Sequence, residues 1–154
     1  MTENRKRRLP TRAELRVWRD YIETAAAVRA ATASRLQSAA GLSEGDYQVL
    51  LALNEAEDQR LRSSELAATI GWERSRLSHH LGRMEKRSLI RREECADDNR
   101  GAHVVLSAEG ASAFRIGSRP HLEAVRELFI DALSAEQLEQ LAAISASLSS
   151  HLKD

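Results

Sequence analysis

Residues 73–87 read Glu-Arg-Ser-Arg-Leu-Ser-His-His-Leu-Gly-Arg-Met-Glu-Lys-Arg, and their polar groups are of a kind that binds rather than reacts. Leu77, Leu81 and Met84 fall at i, i+4 and i+7, which predicts a helix with one apolar stripe. At about 100° per residue, Ser75, Arg76, His79 and Arg83 point away from that stripe, with Ser78 at the border and Arg74 at the helix start. Guanidinium, hydroxyl and imidazole groups on one outward edge offer hydrogen bonds to phosphates and base edges. Arg76 has the geometry for a bidentate contact to guanine, and Ser75 and Ser78 for contacts to phosphate or base. A plain solvated helix face is the alternative for each. His80 lies about 65° from the stripe centre, which places it at the core edge.

The same residues give catalysis no support. Ser78 and His79 are neighbours pointing about 100° apart, with no third group to orient them. Cys95, Glu93, Glu94, Asp97 and His103 match no standard metal-ligand spacing, so neither metal nor cofactor is expected. Cys95 is the single cysteine, which excludes an intrachain disulfide and suits a reducing cytoplasm. The acids around it would raise its thiol pKa, against a redox role.

Around this segment, Glu65, Leu66, Ala67 and Ile70 predict a short preceding helix, and Gly71 the turn. Leu89–Cys95 and Ala102–Leu106 read as two strands joined by the polar loop 96–101. Helix, turn, helix and charged hairpin in this order form a winged helix-turn-helix, a device for seating a helix in the major groove of DNA. Trp72 is expected to be a packing anchor between the two helices.

Long helices flank the motif. Thr11 and Glu14 form a capping-box pattern, and helical spacing runs through Leu15, Trp18, Ile22, Val28 and Leu36 to Gly41, about 45 Å. Ser43 starts a second helix, with the polar stretch 55–59 ending it. After Ser107, a helix passes through Phe114, Val125 and Leu128, with Pro120 bending it, and Ser134 caps a last one. The fold class is thus mostly α with a small β-wing, a winged helix-turn-helix flanked by long N- and C-terminal dimerisation helices. The expected divisions are a flexible basic arm (1–10), a dimerisation helix (11–42), the winged domain (43–109) and C-terminal dimerisation helices (110–154). A winged domain of about 65 residues cannot cover both flanking stripes, so a homodimer is the simplest remedy.

The formal net charge of this 154-residue chain is zero, but the charge is unevenly spread. Residues 60–92 carry nine basic and three acidic groups and residues 1–12 five and one, while 13–59 and 93–154 are both net negative. Local field matters more than the sum for phosphate binding, so double-stranded DNA is the expected partner. The zero total and acidic hairpin keep open an alternative, a winged-helix protein-interaction module without DNA binding. The longest apolar runs are broken by charges, so neither a membrane span nor a secretory signal is expected.

Over residues 11–152 the chain resembles the MarR family of bacterial transcriptional regulators. The resemblance is carried by Ser64-Glu65-Leu66-Ala67, Gly71-Trp72, Arg74–His79, Leu89–Arg92, and Asp98-Asn99-Arg100-Gly101 leading into Val105–Gly110. The Asp-x-Arg-Gly turn and the strand ending Leu-Ser-x-x-Gly are its most specific parts. The resemblance implies a triangular homodimer that binds pseudo-palindromic operators and represses nearby genes, in many members releasing DNA when a small aromatic or phenolic effector, an oxidant or a metal binds. It favours Arg100 as a wing-tip residue entering the minor groove, with Asp98 as its support, over an ordinary turn built from the same residues. Trp18 and Tyr47 fall near where the family's effector pocket lies, though in a core this short of aromatics such residues are more often simple packing. Cap positions that often hold Ser or Thr are Arg62 and Glu73 here, so those helix starts lean on tertiary contacts. The N-terminal cysteine of the oxidant-sensing branch and the cluster of the metal-sensing branch are both missing.

Overall fold

Thr11, Ser43, Ser107 and Ser134 each accept a hydrogen bond from the backbone N–H three residues on, and each sets the start of a helix. In Thr11, Ser43 and Ser134 the bond is reciprocated by Glu14, Asp46 and Gln137, completing capping boxes. The computed structural model describes residues 8–94 and 101–153. Their elements run α1 (Arg12–Ala40), α2 (Glu44–Glu55), a 3-10 turn (Glu57–Gln59), β1 (Arg60–Arg62), α3 (Ser63–Ile70), α4 (Arg74–Lys86), β2 (Ile90–Glu94), β3 (Ala102–Leu106), α5 (Ala108–Leu128), a second 3-10 turn (Ile130–Ala132) and α6 (Ala135–His151).

The sheet is antiparallel in the order β1-β3-β2. Leu61 pairs with Val104, and Arg92 pairs with Val104 from the other side. The two strands expected from sequence are β2 and β3; β1 is an addition. It is a three-residue strand entered through Asp58 and Gln59, both at positive φ without being glycine. No local pattern announces so short an edge.

The core gathers Leu50 and Leu53 from α2, Leu66 from α3, Leu77, Leu81 and Met84 from α4, Ile90 from β2 and Val104 from β3, all nearly inaccessible. Leu36 and Leu42 extend it towards the end of α1. Two glycines permit the closest approaches. A Cβ at Gly110 would lie 2.0 Å from the Leu89 carbonyl oxygen, so α5 can start against the root of β2 only with glycine there. At Gly117 a Cβ would meet Leu36, Ala40 and Leu42 at 3.1–3.3 Å, which lets α5 cross α1 closely. Pro120 lies inside α5 and does not end it.

The flanking helices are poorly covered within one protomer. Leu36 is the single buried residue of α1, and α6 has none. No described helix is long and apolar enough to cross a membrane.

Candidate nucleic-acid interface

Burial divides α4 as its sequence periodicity requires. Leu77, Leu81 and Met84 are buried, whereas Arg74, Ser75, Arg76, Ser78, His79 and Arg83 are all exposed on the other side. Arg83 and Lys86 in the last turn also oppose the negative end of the helix dipole. His80 sits at the core edge, 9% exposed.

Behind α4 stands Asp46, in the first turn of α2 and 2% exposed. Its Oδ2 accepts from Arg87 Nη1 at 2.7 Å and from the Ser43 backbone N–H at 3.0 Å. His80 Nε2 lies 2.9 Å from Oδ1, at ion-pair distance but poorly aligned for a hydrogen bond. Arg87 also donates to the Gly41 carbonyl at 2.9 Å, so the end of α1 is tied to the end of α4. Burial alone would raise the Asp46 pKa; the Arg87 hydrogen bond, the Ser43 amide and the nearby charges overcome it and hold the carboxyl below its ordinary value.

His80 is held neutral. Burial lowers its pKa, Asp46 opposes that, and Arg83 and Arg87 lower it again, leaving the net shift downward. Arg83 Nη2 lies 3.1 Å from Nδ1. A guanidinium can only donate, so Nδ1 accepts and the ring proton sits on Nε2, towards Asp46. On the ring's other side, Trp72 packs edge-on at 5.2 Å and 84°, and the Arg76 guanidinium lies 3.8 Å from the centre of the Trp72 ring system.

Sequence reasoning missed a cleft of about 480 Å³ between α3, α4 and the wing. Arg62, Ser63, Ser64, Arg74, Ser78 and Arg92 ring it over a floor of Leu77 and Leu81. Arg62 stands at the N-cap of α3 with no side-chain cap bond, while its own N–H donates to Glu65 at 3.1 Å. Glu73, at the cap of α4, is equally without one. Open helix starts beside guanidinium and hydroxyl groups suit a phosphate. The poor cap at Arg62 was the available sequence signal. Glu85 fixes the wing root, accepting from the Arg92 backbone N–H at 2.9 Å and from its guanidinium at 3.1–3.2 Å, which holds the Glu85 pKa down.

The other expected site residues are scattered. Asp98, Arg100 and Cys95 lie outside the described residues. Tyr47 is buried against Phe114 (5.3 Å) and His121 (4.4 Å). Trp18 is 61% exposed beside Leu15 and Ile22, about 27 Å along α1 from Leu36 of the core, so one protomer does not bring it to Tyr47. Among the described residues no cluster of three acids, His or Cys is placed to hold a metal.

A model of the MarR family matches residues 40–101. The MarR family regulator AbsC from Streptomyces coelicolor is 36% identical, superimposes with a TM-score of 0.86, and is covered over 98% of its length by 95% of this chain. The chain belongs to the MarR family. A second MarR family regulator from Streptomyces coelicolor, Sco3205, whose crystal structure is a complex with DNA, is 38% identical with a TM-score of 0.87 over 94% of this chain and 91% of that one. The transcriptional repressor MprA of Escherichia coli K12 is 29% identical over 119 residues, 77% of this chain and 67% of its own. This MarR protein is accordingly a DNA-binding transcriptional regulator and not an enzyme.

The two buried titrating groups at Asp46 and His80 make the stability of the contact between α2 and α4 depend on pH. A histidine titrates near 6.5 when unfolded. Its lower folded value means that stability is complete above about 6.5 and is lost as pH falls towards the folded pKa. His121, lowered by burial against the opposing pull of Glu44, acts in the same window, and Asp46 adds a loss below about 3.9. Denaturant titrations should give a midpoint that falls from pH 7 to pH 5, and less steeply in His80→Asn. A midpoint that is flat or rises over that range contradicts the assignment.

Proposed function

We propose that this protein is a repressor that binds a pseudo-palindromic operator as a homodimer, with α4 in the major groove. The observation that carries this is the exposed edge of α4, where Arg76 and Arg83 face solvent while Leu77, Leu81 and Met84 anchor the opposite edge. Arg76 makes the bidentate contact to guanine; Ser75, Ser78, His79, Arg83 and Arg74 complete the face. Arg62, Ser63, Ser64 and Arg92 hold a backbone phosphate in their cleft. Arg100 at the wing tip enters the minor groove, supported by Asp98. That the relative MprA is named a transcriptional repressor supports the sign of regulation.

Exposed apolar side chains support the dimer. Trp18, Ile22, Ile116, Leu122, Ile144 and Leu148 are each 42–62% exposed, and they lie on α1, α5 and α6, outside the winged domain. A second copy presenting the same helices would cover them, leaving residues 11–42 and 110–154 as the dimerisation arms.

A small aromatic effector fits the joint between arm and winged domain. His121 Nδ1 is buried without a hydrogen-bond partner beside the Tyr47 ring, an unmet demand that a phenol or carboxylate would satisfy. A phenolic acid that raises the melting midpoint and releases DNA, both effects lost in His121→Leu, is the expected result. A panel of such acids without effect on either would remove the effector from the proposal.

The DNA assignment is tested on a duplex selected from a random pool by the unmodified protein. Sedimentation should give twice 17.2 kDa. Arg76→Ala should weaken binding of the selected duplex about 10- to 100-fold, in line with the roughly 1–3 kcal/mol of a bidentate base contact. Arg62→Ala should weaken selected and bulk DNA alike and lower the salt slope by about 1. Parent-like affinity in both variants overturns the interface, and a chain showing no salt-dependent DNA binding returns the protein-interaction alternative.

A further inference from the structure

Among the described residues, arginines are held in place in two different ways. Arg29, Arg35, Arg60, Arg87, Arg91, Arg92, Arg119 and Arg126 each pair with a carboxylate. Arg76 and Arg83, on the exposed edge of α4, are instead held by uncharged rings. The central carbon of the Arg76 guanidinium lies over Trp72, 3.8 Å from the ring centre, and Arg83 donates to the neutral His80 ring at 3.1 Å. A carboxylate would fix a guanidinium by spending its charge and its N–H edge. A ring fixes it and spends neither, because stacking occupies only the face, and one bond to Nδ1 leaves the other donors of Arg83 outward.

The two rings are themselves fixed from behind. They meet edge to face at 5.2 Å, and both press on Gly45 in the first turn of α2. A Cβ at Gly45 would lie 2.8 Å from Trp72 Cη2 and 3.0 Å from His80 Cε1. The rings therefore occupy the space that any other residue at position 45 would need. Asp46, next along, holds the far side of His80.

From this geometry we infer that Trp72 and His80, seated on the Gly45–Asp46 corner of α2, are positioning residues that set Arg76 and Arg83 for contact with bases. A free arginine must surrender most of its rotamer freedom when it meets a base; one already stacked surrenders less, and gains affinity and discrimination. The inference rests on the assignment of α4 as the reading helix.

The test compares binding to the selected duplex and to a scrambled duplex of equal composition, taking their affinity ratio as the readout. Trp72→Leu should lower that ratio about 3- to 5-fold, the range expected of a partly exposed cation–π contact, while Trp72→Phe keeps most of it. In an Arg76→Ala background, Trp72→Leu should add nothing. Gly45→Ala, which pushes on the Trp72 ring without removing it, should lower the ratio by a similar factor and gives an independent arm if Trp72→Leu folds poorly. A Trp72→Leu effect of equal size with and without Arg76, or a loss of ratio in Arg76→Ala but in neither Trp72→Leu nor Gly45→Ala, overturns the positioning role. An unchanged ratio in Arg76→Ala overturns the underlying assignment of α4 instead.

Discussion

Asp46 is almost wholly buried, and a buried carboxylate must be answered by charges and donors inside the protein or lose its ionisation. The donors that answer it come from separate parts of the chain, the Ser43 amide from the start of α2 and Arg87 from the end of α4, while His80 lies beside the other carboxylate oxygen. Arg87 reaches on to the Gly41 carbonyl where α1 stops. Asp46 and these four residues thus bring the end of α1, the first turn of α2 and the back of α4 to one point. Arg87 keeps about half its side chain in water, which limits the desolvation that the cluster must offset.

Given that fixed point, the behaviour of α4 follows from its two edges. The apolar edge is shared with α2, α3 and the strands, and among the described residues no carboxylate pairs with Arg76 or Arg83 on the polar edge. Glu85 serves the same economy in a different place. Lying between the edges, it binds Arg92 and thereby ties β2 to α4. The flanking helices contribute little core of their own, since α1 buries one residue and α6 none.

Much of this was legible in the sequence, because it depends on local periodicity and caps. The 77/81/84 stripe, the starts at Thr11, Ser43 and Ser134, the turn at Gly71 and the edge position of His80 all need only neighbours within one helical turn or two. What escaped depends on distant partners. β1 is three residues long and exists through pairing with residues more than forty positions away. Without β1, the place of Arg62 opposite Arg92 and Ser78 in one cleft could not be seen. Asp46 reads as an ordinary capping-box acid; its burial is set by Arg87, 41 residues on. Gly110 looks like a helix-start glycine, and only the Leu89 carbonyl shows why nothing larger fits. The Trp72–Arg76 stack spans i to i+4, but Trp72 precedes α4, so helical spacing gave no reason to join them.

The most direct measurement is a crystal structure of the full chain on its selected duplex. It should show α4 in the major groove with Arg76 and Arg83 on base edges, and Arg87 still bridging Asp46 and the Gly41 carbonyl. A complex in which α4 lies outside the groove, or in which Arg87 has left Asp46 for a phosphate, would contradict the account.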